Sequence, residues 1–209
     1  MTTPRRAPDA TPPEETLDIR LVTPDRLDDL AGLFDQPGDP KWCWCASFHI
    51  AGSVKARPRD ENRAVLTERI LQGPSPGLLA YRDGRVIGWV SVAPRASYRK
   101  LARSDFAPVG DPAGAHPSGV WSIVCFVVDR KERGRGLARR LLDAAVAHAR
   151  EGGARTIEAY AIDPGAERIP TPIAYGGTIA MFLDAGFHVV GQRLAGATRW
   201  PRPIVRLDL

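Results

Sequence analysis

Residues 119–153 place an apolar strand, a glycine-containing turn and an amphipathic helix directly after one another. The run "GVWSIVCFVVD" (Gly119–Asp129) is almost continuously apolar, which is typical of a central strand buried on both faces. The turn "RKERGRG" follows, and beyond it a single face of a helix carries Ala138, Leu141, Leu142, Ala145, Val146 and Ala149. A strand buried in this way needs neighbouring strands and covering helices, so we expect an α/β protein.

The rest of the chain supplies the partners of this unit. Alternation over Leu17–Thr23 predicts a strand, and helical spacing after Pro24 and around Leu66 predicts two helices. Two β-rich runs joined at Asp83-Gly84 predict a hairpin with a tight turn. The predicted order is β-α-α-β-β-β-α-β-α-β-β, which indicates one domain with a mixed sheet over residues 16–209.

Residues 1–15 are rich in Pro, Thr and charge, and we expect them to form a disordered lead-in. They lack the apolar core of a secretory signal, and no apolar run reaches the roughly 18 residues of a membrane-spanning helix. The chain holds three cysteines, which argues against a disulfide framework and for a reducing compartment. We therefore expect a cytoplasmic protein with no membrane partner.

The stretch "RKERGRGLARRLL" from Arg130 to Leu142 has two functional interpretations. With a net charge of +5, the chain could use it as a basic strip for nucleic acid or as a loop for one phosphate group. The phosphate loop needs fewer groups than a nucleic-acid surface. Unpaired amides at a helix start attract anions, and glycines let a phosphate approach the backbone. A solvated turn without a ligand is the third reading. The apolar stripe of the helix is expected to pack in a core, and Arg139 can pair with Asp143 on the same helix. Neither group is then available to nucleic acid, so we do not expect a nucleic-acid partner.

The same residues resemble motif A of the GCN5-related N-acetyltransferases (GNAT), Q/R-x-x-G-x-G/A. Arg133, Gly134, Arg135, Gly136, Leu137 and Ala138 match it in order, after a strand and before a helix. "MFLDAGF" is similar to motif B, and the order of elements agrees from Leu17 onward. The resemblance is closest in type to bacterial small-molecule members, and it implies a mixed, mostly antiparallel central sheet flanked by helices.

The resemblance also implies acetyl-CoA as the acetyl donor and no metal. Its pyrophosphate would lie on the backbone amides of residues 133–138, with Arg133 and Arg135 adding charge-assisted hydrogen bonds. Its pantetheine arm would follow the strand that ends at Val128, where the sheet splays and leaves backbone groups to pair with it. The expected carriers are Phe126, Val127 and Val128.

Acetyl transfer to an amine calls for a base for the amine and an acid for the leaving thiolate. Many relatives use a tyrosine as that acid, but this chain has Phe182 at the position. We predict Glu158 as the base and Tyr160 as the substitute acid, since both share one face of the next strand. Tyr175 remains an alternative acid, and Asp129 and His49 remain alternative bases.

The segment "KWCWCASFH" stands out for its two tryptophans and two cysteines. Cys43, Cys45 and His49 are too few, and wrongly spaced, for a structural zinc site, and a catalytic thiol would need His49 as its base. Packing is the simplest role, with Trp42 and Trp44 forming one wall of the acceptor pocket.

These observations predict transfer of acetyl from acetyl-CoA to a primary amine of a small molecule, by direct attack in a ternary complex. Two alternatives stay open: acetylation of a protein or peptide, and a non-catalytic acyl-CoA sensor suggested by Phe182. The expected partner is a small-molecule amine, and a homodimer also remains open.

Overall fold

The computed structural model describes residues 17–37, 40–102, 106, 118–170, 174–193 and 199–209. The lead-in predicted at residues 1–15 lies outside these ranges.

The described residues form a seven-stranded sheet in the order β1-β2-β3-β4-β5-β7-β6. Only β4 and β5 run parallel, and every other neighbouring pair is antiparallel. The expected mixed, mostly antiparallel sheet is therefore confirmed. Its strands are β1 (Leu17–Leu21), β2 (Gly77–Arg82), β3 (Arg85–Pro94), β4 (Val120–Val128), β5 (Thr156–Tyr160), β6 (His188–Gln192) and β7 (Pro203–Asp208).

Helices cover both faces of the sheet. In the described ranges they are α1 (Leu27–Phe34), α2 (Pro40–Cys43), α3 (Arg59–Gln72), α4 (Leu137–Glu151) and α5 (Ile179–Leu183). The apolar residues of α1 and α3 join one core cluster, and those of α4 and α5 join a second. The helix expected from Pro24 begins as a 3-10 turn over Pro24–Arg26, and its α-helical part starts at Leu27.

The β2–β3 hairpin turns where the sequence indicates. Asp83 and Gly84 have φ values of 50° and 76°. Positive φ at both central residues is the signature of a type I′ turn, whose twist matches that of the flanking strands. The hairpin places β3 beside β4, the strand that carries the site described below.

An irregularity in β4 changes which core each of its residues joins. Trp121 and Ile123 face the α4 core, whereas Val124 and Cys125, next to each other in the chain, both face the α1–α3 core. The pairing with β3 shifts between Cys125 and Ile123, which makes Val124 the extra residue of a β-bulge. From Phe126 onward the alternation resumes in the opposite phase.

Candidate active site

The turn between β4 and α4 opens backbone amides toward empty space. Gly134 and Gly136 have φ values of 76° and 77°, a left-handed conformation that glycine adopts without strain. A Cβ added at either glycine would meet nothing within 4 Å. This predicted turn therefore has room beside it for a ligand group to reach the main chain.

The first turn of α4 has amides without helical acceptors. The N–H groups of Arg139 and Arg140 both donate to the Gly136 carbonyl, at 3.1 and 3.2 Å. The amides of Leu137 and Ala138 precede Arg139, the first amide of the helix that donates to this acceptor, and Gly136 brings no capping side chain. Such a helix start attracts an anion through these amides and the helix dipole.

Two buried carboxylates at the start of the turn hold it in place through hydrogen bonds with Arg85. Asp129 and Glu132 are 6% and 4% exposed, and the Arg85 guanidinium donates to both, at 2.6 and 3.2 Å. Burial raises the pKa of Asp129, but hydrogen bonds from the Lys131 amide and Arg85 outweigh it and hold the pKa below its ordinary value. Asp129 is therefore engaged in holding the turn, which leaves it poorly suited to act as a base.

The two arginines of the turn lie at its surface. The Arg133 Nε donates to the Val128 carbonyl at 3.2 Å, and the Arg135 guanidinium lies 3.6 Å from a Glu132 carboxylate oxygen. Both side chains thus start at the rim of the turn, within reach of an anion bound there.

β4 and β5 diverge after a short paired stretch. They pair only from Val120 to Ile123 on β4, and β4 continues to Val128 beyond the last paired residue. A splay between two parallel strands exposes backbone groups in the way the resemblance implies.

The chain itself enters part of this splay. The Phe126 amide donates to the Tyr175 carbonyl at 2.7 Å, and the Ile162 amide donates to the Gly177 carbonyl at 2.9 Å. Gly176 lies between Tyr175 and Gly177 in the chain and passes close to β5. A Cβ added to Gly176 would lie 2.6 Å from the Tyr160 carbonyl oxygen. Only glycine permits this approach, so residues 174–177 bridge the two strands.

The three residues predicted to pair with the pantetheine are therefore not equivalent. The Asp129 amide donates to Ile87 on β3, and by strand alternation the Val127 amide also faces β3. The amides of Phe126 and Val128 face the splay, and that of Phe126 is engaged by Tyr175.

A cavity of about 480 Å³ lies at the bulged part of β4. This volume suits a small-molecule ligand. Its wall combines aromatic rings, thiols and cations. The described residues that line it are Trp42, Cys43, Cys45, Ser47, Phe48, Val54, Lys55, Lys100, Phe106, Val124, Cys125, Tyr160, Tyr175, Gly176, Arg193 and Arg202.

Of the two tryptophans predicted for this wall, Trp42 lines the cavity and Trp44 does not. Trp42 lines the cavity and is 58% exposed. Trp44 is 1% exposed and packs edge-on against Phe34 at 5.2 Å, with the Arg63 guanidinium 4.9 Å above its ring. The structure thus places Trp44 in the core, where it supports the segment that carries Trp42.

All three cysteines line the same cavity as reduced thiols, outside any disulfide. The neighbouring Cys45 thiol, followed by burial, raises the pKa of Cys125 well above its ordinary value. His49 packs against Tyr98 with ring centroids 5.0 Å apart. Within the described ranges, no group of three or more His, Cys, Asp or Glu side chains is placed to hold a metal ion.

Glu158 and Tyr160 share a face of β5, but their surroundings differ. Glu158 is 0% exposed and binds Arg95 at 3.0 Å and Arg206 at 2.6 Å. Tyr160 lines the cavity, and its hydroxyl lies 3.5 Å from both Glu158 and Ser122. Burial, followed by the charge of Glu158, raises the pKa of Tyr160 far above its ordinary value. Tyr160 therefore stays a phenol, and Glu158 lies behind it as a paired carboxylate.

Phe182 is a core residue. It is 0% exposed and packs against Phe126 and Phe187, with ring centroids 6.2 and 5.2 Å apart. The position used for a tyrosine acid in many relatives is therefore filled by apolar packing.

Sequence reasoning missed the basic part of the cavity wall. Arg193 and Arg202 come from the ends of β6 and β7, where the Arg193 amide donates to the Arg202 carbonyl at 2.8 Å. Alternation along β7 puts Arg202 on the same face as Ile204 and Arg206, a signal that could have suggested its direction. Arg193 follows the end of β6 and offered no comparable pattern.

Among the described residues, no helix is both long and apolar enough to span a bilayer.

Comparisons with known proteins agree with this architecture. The family model described as "Acetyltransferase (GNAT) family" matches residues 23–169. A search of curated proteins found no match.

Three solved structures illustrate the shared fold. An N-acetyltransferase from Staphylococcus aureus Mu50 is 16% identical, covers 92% of this chain and 98% of its own, and has a TM-score of 0.57. YncA from Salmonella typhimurium, solved with its cofactor acetyl-CoA, is 20% identical, with 93% and 94% coverage and a TM-score of 0.55. PaiA N-acetyltransferase from Thermoplasma acidophilum, solved with coenzyme A, is 13% identical, with 93% and 99% coverage and a TM-score of 0.53.

Proposed function

Because the chain belongs to the GNAT family of acetyltransferases, we propose that it transfers acetyl from acetyl-CoA to the amine of a small molecule. The observation that carries the proposal is the cavity at the β4 bulge, with Tyr160 in its wall. An aromatic-rich cavity of this size favours a small acceptor over a protein chain, which would need an extended groove.

The donor is assigned to the turn and the splay. The amides of residues 133–138 bind the pyrophosphate, supported by the open space at Gly134 and Gly136. The pantetheine arm follows β4 toward the bulge and pairs with the Val128 amide. The Phe126 amide joins it only if the Tyr175 carbonyl withdraws.

The reaction needs few side chains. The neutral amine attacks the thioester carbonyl, a C–N bond forms, and the tetrahedral intermediate collapses with loss of the coenzyme A thiolate. The Tyr160 hydroxyl gives its proton to that thiolate and is reprotonated from solvent. Holding the two substrates together supplies much of the remaining acceleration.

The base differs from the prediction based on the sequence. Glu158 is buried between two guanidinium groups, so we assign it the positioning of Tyr160. No carboxylate or imidazole is among the described residues of the cavity wall. We therefore assign the removal of the amine proton to water.

The test is a coupled assay of acetyl-CoA turnover. Purified protein is mixed with acetyl-CoA and a panel of small amines, amino acids and peptides, and released coenzyme A is detected through its free thiol. Turnover confined to small amines supports the proposal, and turnover confined to peptides supports the first alternative. Calorimetric binding of acetyl-CoA without turnover across the panel would favour the sensor suggested by Phe182.

A further inference from the structure

Aromatic rings form much of the cavity wall at the β4 bulge. Five of the described residues that line it are aromatic: Trp42, Phe48, Phe106, Tyr160 and Tyr175. Trp42 is exposed and Phe48 and Tyr175 are half-buried, whereas Phe106 and Tyr160 are buried. A small molecule in the cavity would therefore meet ring surface of the first three side chains.

Trp42 leaves the largest of these rings uncovered. It is 58% exposed, although it lines the cavity. The tryptophan side chain combines a large apolar surface with few rotatable bonds, and it is among the residues that contribute most to binding energy at protein interfaces. The ring of Trp42 is thus available to pack against a ligand.

A buried side chain holds the backbone of Trp42 in place. Asn62 on α3 is 0% exposed, and its side-chain amide donates to the carbonyls of Trp42 and Val54, at 2.9 and 3.0 Å. Trp42 and Val54 both line the cavity, so one side chain joins two parts of the wall. The Asn62 Oδ1 is buried without a hydrogen-bond partner among the described residues, which costs free energy that an apolar side chain would not. The two carbonyls that it holds therefore explain an asparagine at this position.

Phe48 continues the aromatic wall to the reacting end. Its ring stacks on that of Tyr160, with centroids 6.1 Å apart and an angle of 28° between the planes. It also meets Phe106 edge-on at 5.7 Å, and Lys100 Nζ lies 5.8 Å from its centroid. These contacts fix Phe48, so a ligand ring that packs against it would lie one ring away from the proposed acid.

We propose that the acceptor amine carries an aromatic ring, and that this ring packs against Trp42 and Phe48 in the cavity. The proposal rests on the acetyltransferase function proposed above and names its substrate class: primary amines with an aromatic body. Rings in offset or edge-on contact bind one another more tightly than the burial of their area alone provides. A short chain between the ring and the nitrogen would let the amine reach the thioester beside Tyr160.

The other available source of an aromatic ring is coenzyme A itself. Its adenine is joined to the pyrophosphate, which is assigned to the turn before α4, on the side away from the pantetheine arm. If adenine bound to Trp42 or Phe48, loss of either ring would weaken acetyl-CoA binding without any acceptor present.

The experiment uses matched acceptors that differ in the aromaticity of one ring. Benzylamine is compared with cyclohexylmethylamine, and 2-phenylethylamine with 2-cyclohexylethylamine, by initial rates of coenzyme A release. Rates are expressed per concentration of neutral amine, because the cyclohexyl member of each pair is the more basic. We expect kcat/KM about 10-fold higher for the aromatic member, the size expected for two ring contacts.

Variants locate the effect. Trp42→Leu and Phe48→Leu each keep an apolar side chain without a ring, and each should lower the aromatic preference about 3-fold, mainly through a higher KM for the aromatic amine. Trp42→Phe should keep most of the preference. Phe187→Leu removes a buried ring that packs against Phe182 in the α4 core, and it should leave the preference unchanged.

A second measurement keeps the test independent of folding. Trp42 is exposed, so Trp42→Leu should unfold within a few degrees of the parent. Phe48 packs against other rings, and if Phe48→Leu does not fold, calorimetry on the unsubstituted protein with coenzyme A bound replaces it. The ligands are then the two products, N-acetylbenzylamine and N-acetylcyclohexylmethylamine, and weaker or equal binding of the aromatic one overturns the proposal.

The outcomes separate the two proposals. Equal or better use of the cyclohexyl amines by a protein that turns over acetyl-CoA overturns the aromatic acceptor and leaves the acetyltransferase. Weaker acetyl-CoA binding by Trp42→Leu and Phe48→Leu, with unchanged acceptor preference, assigns the rings to the donor and also overturns the inference. Absence of turnover with every amine tested overturns the proposed function and the inference together.

Discussion

Tyr160 lines the cavity and keeps its proton to high pH, so the proton is available to the leaving thiolate, although the raised pKa makes this phenol a weaker donor than an ordinary tyrosine. We expect Tyr160→Phe to lower kcat about 100-fold, because the thiolate then leaves without a proton. Acetyl-CoA affinity by calorimetry should not change. Tyr81→Phe removes another buried hydroxyl, bonded to Asp29 far from the cavity, and should keep full activity.

An unaltered kcat and pH profile for Tyr160→Phe would remove this tyrosine from the reaction. Tyr175, the other phenol of the described cavity wall, would then be the acid to test.

His49 is expected to make stability depend on pH. Burial, and then the charge of Arg69, lower its pKa from 6.5 to about 4. The unfolded chain therefore binds the proton more readily between these values, so stability is full above about pH 6.5 and falls as the pH falls toward 4. Between pH 7 and 4.5 this single group should remove about 2 to 3 kcal/mol.

Denaturant unfolding of the parent, His49→Leu and His188→Gln at both pH values checks this expectation. Carboxylates titrate in the same range, so the informative quantity is the difference between variants. His49→Leu should show the smaller loss, and His188→Gln, an exposed site on β6, should behave as the parent. Equal losses in all three would contradict the assignment.

Among elements, the ion pairs of buried Glu158 with buried Arg95 and half-buried Arg206 tie β5 to β7 and to the end of β3. Glu158→Gln leaves Arg95, itself 1% exposed, without its charge partner. We expect a loss of about 3 kcal/mol in the free energy of unfolding. Asp143→Asn in the exposed Arg139–Asp143 pair of α4 should cost less than about 0.5 kcal/mol.

The same variant distinguishes two roles for Glu158. If Glu158 positions Tyr160, the Glu158→Gln variant should have lower stability and a lower kcat than the parent. The pH dependence of its kcat should keep the shape of the parent's profile. Unchanged stability with loss of the acidic limb of the pH profile would instead make Glu158 the base, as the sequence alone predicted.

Two glycines that flank α4 form a matched pair, one in the turn before the helix and one just after it. Gly134 and Gly153 both have positive φ and open space, at the start and just beyond the end of α4. Aspartate at either position should cost about 1 kcal/mol of stability. Only Gly134→Asp places a carboxylate at the proposed pyrophosphate site, so it should weaken acetyl-CoA binding about 100-fold or more.

Isothermal titration of both variants measures the difference. Similar affinities for Gly134→Asp and Gly153→Asp would mean that the pyrophosphate binds away from this turn.

For the whole molecule, a donor bound along the turn and β4 touches the strand that both cores share. Saturation at 100 times the dissociation constant should add about 2.7 kcal/mol to the free energy of unfolding. For a chain of this size that corresponds to a rise of about 5 to 10 °C in the midpoint of thermal unfolding. Scanning fluorimetry with and without acetyl-CoA measures it, and an unchanged midpoint at saturation would contradict binding to the native state.

Much of the fold follows from local patterns. The apolar run of β4, the Asp83-Gly84 turn and the stripe of α4 are each determined by neighbouring residues, so they could be predicted. The cavity could not, because its wall joins residues distant in the chain through strand pairing and a bulge. Glu158 illustrates the limit: alternation indicated its face, but only the packing of Arg95 and Arg206 reveals that its charge is already neutralised.

The extra residue in β4 has a consequence for how this strand could evolve. Loss of the bulge with every residue kept would impose strict alternation, rotate Cys125 toward α4 and swing Phe126 into the space where the acceptor is proposed to bind. The pyrophosphate turn would inherit the same half-rotation, because it begins directly after the strand. Deleting Val124 would instead leave both side chains on their present faces and remove the bulge at the cavity. Donor and acceptor sites are therefore linked through the pairing register of one strand, so a change of register after the bulge would move both.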